Sequence, residues 1–357
     1  MLRVYSDREH YSEDRRRYVN DIAKVFWNTA TPEERCERYG KRTGYFEMVD
    51  EPASADVVVL TMKWQYYVEN DLARLALRAL EVARAARKPF VVFCEGDFTA
   101  NFPAVGDDIH VFECAGYQSR RKHRIHGIPP FFEDPLPAAC GGQVRMRDKH
   151  ALPQVGFCGQ AGSSLARHVA RAARVQLRKA QWRLHRLAWE PTPFEHTWFR
   201  QRVLDTFANS AAVATNYVLR TQYRAGIANA QTKNDLAEQS RREFVENVLG
   251  TDYTLCVRGG GNFSLRFYEA LALGRIPILI DTDCAIPFSD LIDWRRFIPW
   301  VDAHDLHEAP QIVADFHARF SNEEFRAHQL ACRQLWVDRL SPDGFFGHFH
   351  EHFEPRR

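Results

Sequence analysis

The chain has 357 residues, of which 45% are apolar, so it is too long for one ordinary hydrophobic core and ample for two. Its charges nearly cancel, at +2 overall, which removes any global case for nucleic acid or an acidic partner and moves such arguments to local patches. Eight cysteines stand singly with no C-x-x-C pair, which fits reduced, buried thiols of a cytoplasmic protein better than a disulfide framework or a zinc site. The charged opening MLRVYSDREHYSEDRRR lacks the apolar core of a signal peptide, and no later run approaches bilayer length. The expectation is a soluble cytoplasmic protein with at most peripheral contact at the inner face of a membrane.

In chain order, short β-branched runs alternate with helical patterns, as in a parallel sheet covered by helices, so the fold class is α/β. Strands are expected at Leu2 to Tyr5, Asp56 to Leu60, Phe90 to Phe93 and Ile109 to Phe112. Between the second and third, Asn70 to Arg87 repeats apolar residues at helical spacing, with Asn70 or Asp71 placed to cap its start. The stretch GIPPFFEDPLPAACGGQ cannot continue either element and reads as an interdomain connection, with the boundary near residue 150. The second half restarts with the strand PQVGFCG, a helix from about Ser163 to Leu187, a short strand at Ala211 to Thr215 and a helix around Arg241 to Leu249. A strand at Tyr253 to Val257, a glycine-rich loop, a helix from Ser264 to Leu273 and a strand at Ile276 to Asp281 follow. From Pro310 the pattern is helical only. The resulting domains are 1–150, 151–309 and a helical segment, 310–357, able to pack back on the first domain.

The stretch that carries chemistry is TDYTLCVRGGGNFSLRFYEALALGRIPILIDTDCAIPFSDLIDW. A buried strand runs into Arg258, Gly259, Gly260, Gly261 and Asn262 and then into a helix, a turn that brings backbone N–H groups close to a phosphate where the helix dipole favours negative charge. Ser264 is placed to cap the helix, and Arg266 lies three residues before Glu269 on one face. Asp281 and Asp283 emerge at the carboxyl end of the sheet, where ligands of open α/β sheets bind. Arg258 and Arg266 would then neutralise a diphosphate and Glu269 would accept from a ribose or sugar hydroxyl. The alternative is a plain tight turn, and Pro277 is an awkward residue for a central strand.

The run from Tyr253 to Trp294 resembles the exostosin domain of glycosyltransferase family 47. It carries Ser264-Leu-Arg266-Phe267-Tyr268-Glu269-Ala270-Leu271, Gly274-Arg275-Ile276-Pro277-Ile278, Ile286-Pro287-Phe288 and Ile292-Asp293-Trp294 in the family's order. Upstream, Val155-Gly156-Phe157-Cys158-Gly159 is similar to the strand and loop that open the family's second domain. The resemblance implies a GT-B architecture, two Rossmann-like domains facing across a cleft, with the nucleotide held by the second and the acceptor largely by the first. It further implies inversion at the anomeric centre, a uridine diphosphate carrier and no catalytic metal; no other cofactor is expected. Asp281-Thr282-Asp283 falls inside the exostosin pattern and is not read as a metal motif.

Inverting transfer needs a base for the acceptor hydroxyl, and Glu95, then Asp97, follow the strand VVF at the cleft end; the alternative is that both shape a turn. Lys63, Trp64 and Tyr66 follow DVVVL and read either as an acceptor wall or as a packed loop. Gly159, in the loop that opens the second domain, is a donor contact; Asn216 and Arg220, after the short strand AVAT, read as second-tier donor contacts or as ordinary residues near a strand end. Ser119-Arg120-Arg121-Lys122-His123-Arg124 reads either as a site for the phosphate of a lipid-linked acceptor or as a solvated loop. Arg167, Arg171, Arg174 and Arg178 read as a solvated helix face, and His348 and His352 as surface histidines without a third metal ligand.

Two rivals remain open. A dinucleotide-dependent oxidoreductase shares the strand, glycine turn and helix, yet G-G-G-N-F-S lacks the G-x-G-x-x-G spacing. A non-catalytic nucleotide- or glycan-binding protein of the same fold would differ only at the base.

Overall fold

The computed structural model describes residues 1–27, 31–120, 123–162, 165–184, 187–192, 195–220 and 233–353. Its strands are β1 (Leu2–Tyr5), β2 (Phe46–Met48), β3 (Val57–Val59), β4 (Phe90–Cys94), β5 (Gly106–Glu113), β6 (His123–Gly127), β7 (Gln154–Gln160), β8 (Ala214–Arg220), β9 (Tyr253–Cys256), β10 (Ile276–Asp281) and β11 (Trp300–Asp302). They form two wholly parallel sheets, in the order β2-β1-β3-β4-β5-β6 and β11-β10-β9-β7-β8. This is the two-sheet α/β arrangement expected.

The central strands are apolar without alternation because both faces are covered. In β4, Phe90 and Val92 enter one core with Trp64, Leu80 and Phe102, while Val91 and Phe93 enter another with Phe345, Phe346 and Phe349. The last residues of the chain thus complete the first sheet's core, with the Phe349 ring 4.7 Å from that of Phe112. Phe316, Phe325, Cys332 and Trp336 instead join the core of the second sheet.

Several local expectations are corrected. The helix after β3 runs Ala73–Ala85, and neither Asn70 nor Asp71 caps it. The Asn70 amide donates back to the Tyr66 carbonyl at 2.7 Å, closing the preceding helix Trp64–Glu69, and Asp71 sits at φ 56° in the turn between. Three strands escaped the sequence reading. β2 and β11 are three residues long, and β6 lies in the basic cluster, so Arg124 stands beside His110 towards the amino end of the first sheet. β8 extends to Arg220 as an edge strand, which leaves Asn216 within it, opposite Gly156.

Pro277 is accommodated by the register. The Leu279 N–H donates to the Pro299 carbonyl on the β11 side, and β11 begins only opposite Leu279. Residue 277, two positions earlier, turns its missing donor to the same side, where β11 has not yet started.

Candidate functional site

The carboxyl ends of the two sheets meet, and the glycine loop between β9 and the helix Leu265–Ala272 lies where they meet. Asn262 organises this loop. Its amide donates to the carbonyls of Gly116 (2.9 Å) and Asp283 (3.1 Å), and its Oδ1 accepts from Arg258 (2.7 Å) and Thr282 (2.6 Å). Two donors and two lone pairs are spent, so the side chain read as a donor contact is instead the knot that joins the domains. Asp283 is likewise a tether: its carboxylate accepts from the Ser119 N–H (3.0 Å) and hydroxyl (2.5 Å) of the first domain. Asp281 accepts the Cys284 N–H at 2.8 Å and fixes the turn after β10; burial raises its pKa.

Arg258 is buried, with Nη1 on Asn262 and on the Tyr117 hydroxyl (3.2 Å). Ser264 holds the N-cap position in extended conformation but makes no side-chain cap, and its hydroxyl lies beside the Cys256 thiol. The first turn of the helix therefore keeps uncapped N–H groups facing the loop.

Behind the loop lies a pair of cations. The Arg266 Nε donates to the Cys158 carbonyl (3.0 Å) and its guanidinium covers the Phe157 ring at 4.9 Å. Gly159 admits it: a Cβ there would stand 2.1 Å from Arg266 Nη2. Arg200 lies 5.9 Å from the centre of the same ring, donating to the carbonyls of Gln160 (2.6 Å) and Arg258 (3.0 Å). Burial, then the charge of Arg266, lowers the pKa of Arg200 to about 9. Among the described residues neither guanidinium has a carboxylate within ion-pair distance. Such a pair attracts an anion. Sequence reading missed Arg200, one of two arginines in an otherwise ordinary helix, His196–Ala208.

Glu269 and Arg220 are engaged elsewhere. Glu269 is buried and ion-paired with Arg241, and burial raises its pKa. Arg220 pairs with Glu243 (2.8 Å) and bonds the Ser240 carbonyl (3.0 Å). Asn216 is exposed on the edge strand, away from the strand ends, so its expected reach to a donor is not seen.

On the first domain, Glu95 and Asp97 part company. Lys63 Nζ lies 2.7 Å from Glu95 and 3.1 Å from Asp21, so the two carboxyls share one cation. Burial, then the Asp21 charge, pushes the pKa of Glu95 up. Asp97 is exposed and lies across the cleft against Gly260 and Gly261.

The acceptor wall is corrected. Lys63 is buried in that ion cluster, and Trp64 is 4% exposed, its ring edge-on to Phe102 at 5.0 Å, with no face offered to a sugar. Tyr66 packs on Tyr18 and Tyr67. Arg120 does reach the cleft, whereas Arg121 lies outside the described residues. Its guanidinium covers Tyr117 at 4.6 Å and grips both oxygens of Glu190, at 2.6 and 2.9 Å. His352 is half-buried and not a free surface residue: it stacks on Phe288 at 4.9 Å beside His126, because Phe345 and Phe349 draw its segment onto the sheet. The described helices contain none long and apolar enough to cross a membrane.

Two parallel Rossmann-like sheets with a basic, glycine-bearing loop between their facing ends define the GT-B class of architecture. Within it, residues 194–316 match the model of the exostosin GT47 domain. Exostosin-1 of Drosophila melanogaster is 32% identical over 124 residues, 33% of this chain and 16% of that protein. Exostosin-1a of Danio rerio is 32% identical over 89 residues, 25% of this chain and 12% of its own length. A probable glucuronosyltransferase of Oryza sativa subsp. japonica is 29% identical over 79 residues, 22% of this chain and 18% of its own length. The matched segments are thus less than a fifth of those proteins. Among solved structures, TarM aligns over 74% of this chain and 55% of its own at a TM-score of 0.29 and 9% identity, so the fold rests on the strand order itself.

Proposed function

We propose that the chain is an inverting, metal-independent glycosyltransferase that moves a sugar from a nucleoside diphosphate donor, uridine diphosphate first among them, to a hydroxyl of a glycan or lipid-linked acceptor. The observation that supports it is the Arg200 and Arg266 pair about Phe157, without an ion pair among the described residues and set beside a glycine loop and an uncapped helix N-terminus. Arg266 and the loop N–H groups stabilise the departing diphosphate as the anomeric C–O bond breaks, supplying the charge that a metal would otherwise bring. Arg200 holds the Gln160 and Arg258 carbonyls that frame the pocket. Asp97 faces the loop from the acceptor side and takes the hydroxyl proton as the new C–O bond forms. Glu95, bound to Lys63, anchors the turn that presents Asp97.

The test is incubation with uridine diphosphate sugars in EDTA, following nucleotide release and the anomeric configuration of the product by NMR. Release with inversion supports the reading. Release only when a divalent ion is supplied, or retention of configuration, contradicts it, and tight nucleotide binding without turnover identifies a binding protein of this fold.

A further inference from the structure

The segment 187–192, which precedes the exostosin match, crosses to the first domain and fills the cleft. Trp189 stacks on Phe98 at 4.6 Å, and Glu190, Pro191 and Thr192 line the same cavity as Asp97, Tyr117, Arg258 and Gly260. That cavity encloses about 20 Å³, room for one water molecule and for no sugar. Glu190 is seated as a ligand would be. One oxygen accepts from Arg120 Nη1 (2.6 Å) and Asn101 Nδ2 (3.0 Å), the other from Arg120 Nη2 (2.9 Å), and the guanidinium is backed by the Tyr117 ring. A planar fork with an added amide donor is shaped for a carboxylate.

We infer that residues 187–192 are an internal occupant of the cleft, with Glu190 filling a pocket built by Arg120, Asn101 and Tyr117 that a carboxylate-bearing ligand takes when the segment leaves. This rests on the cleft being the reaction site, but the pocket itself is tested without turnover. Burial opposes ionisation of Glu190, yet the bonds from Arg120 and Asn101 hold its pKa below the ordinary value, so it stays charged and seated at neutral pH. Any ligand reaching the inner face of the glycine loop must displace it.

Hydrogen exchange of the full chain, read on peptides covering 187–192, tests the inference with glucuronate as the probe and glucose as its neutral control. Glucuronate, and not glucose, is expected to speed exchange in the wild type. Glu190→Gln is expected to speed it by about tenfold to a hundredfold without sugar, the range for losing a charge-assisted hydrogen bond. Exchange that ignores Glu190→Gln, or that responds equally to both sugars, overturns the inference. If no nucleoside diphosphate binds, the donor reading fails while the exchange result still decides the fate of the latch.

Discussion

Asp97 of the first domain and Gly261 of the second meet so closely that a methyl group at Gly261 would stand 2.8 Å from the Asp97 Cα and 2.9 Å from its Oδ1. Backbone cannot yield as a side-chain tip can. Gly261→Ala is therefore expected to prise the cleft open and lower kcat/KM at least tenfold, with the melting temperature little changed because each sheet keeps its own core. Steady-state kinetics beside a thermal melt check it.

Gly159→Ala makes the contrasting case. The atom in its way is the Arg266 Nη2, the end of a flexible side chain, so the guanidinium leaves Phe157, while the φ of +158° strains the backbone of any residue with a Cβ. Donor affinity should fall about as far as in Arg266→Ala, with stability lowered in Gly159→Ala by the backbone strain. Calorimetric titration with uridine diphosphate compares them; unchanged affinity in Gly159→Ala contradicts the placement of the anion site.

The two carboxylates after β4 are separated by pH. With Asp97 as base, Asp97→Asn is expected to cost about 10²–10⁴ in kcat. Were Glu95 the base, the rate would rise with pH through a pKa raised above the ordinary carboxylate range. Glu95→Gln should instead impair both kcat and KM by loosening the turn, with an unaltered pH profile.

Acid should weaken the fold through its buried histidines. Burial lowers His110 to about 4 and His352 to about 3 from an ordinary value near 6.5. The unfolded chain therefore binds more protons between these values, and stability present above pH 6.5 is lost as pH falls towards 4. Denaturant melts should show this decline, and His352→Phe should flatten it; a melt insensitive to pH in that window contradicts the buried stack.

Trp64→Ala should behave as a core deletion, costing about 3–5 kcal/mol and leaving acceptor KM unaltered in whatever protein folds. Denaturation at low temperature measures the first and kinetics the second.

What was legible in the sequence was local. The strand, glycine turn, helix and strand from Tyr253 to Asp281 follow from apolar runs and punctuation, and Arg266 follows from its place in the first turn. What was not legible came from pairing across long separations. Asn262 and Asp283 have the polar chemistry of ligand contacts, yet Gly116 and Ser119, from the other domain, consume them. Arg200 and Glu190 acquire meaning only when folding brings them to Phe157 and Arg120. Trp64 and His352 misled because an aromatic or a histidine in a polar stretch does not reveal which side faces the core. β6 was hidden because a strand at a sheet edge tolerates the charges that read as a loop.

The most direct measurement is a thermal-shift titration of wild type and Arg266→Ala with nucleoside diphosphates in EDTA, because a ligand of the folded state alone raises its melting temperature. The account predicts a metal-independent shift with uridine diphosphate that Arg266→Ala abolishes. A shift that vanishes in EDTA, or one undiminished in Arg266→Ala, would contradict it.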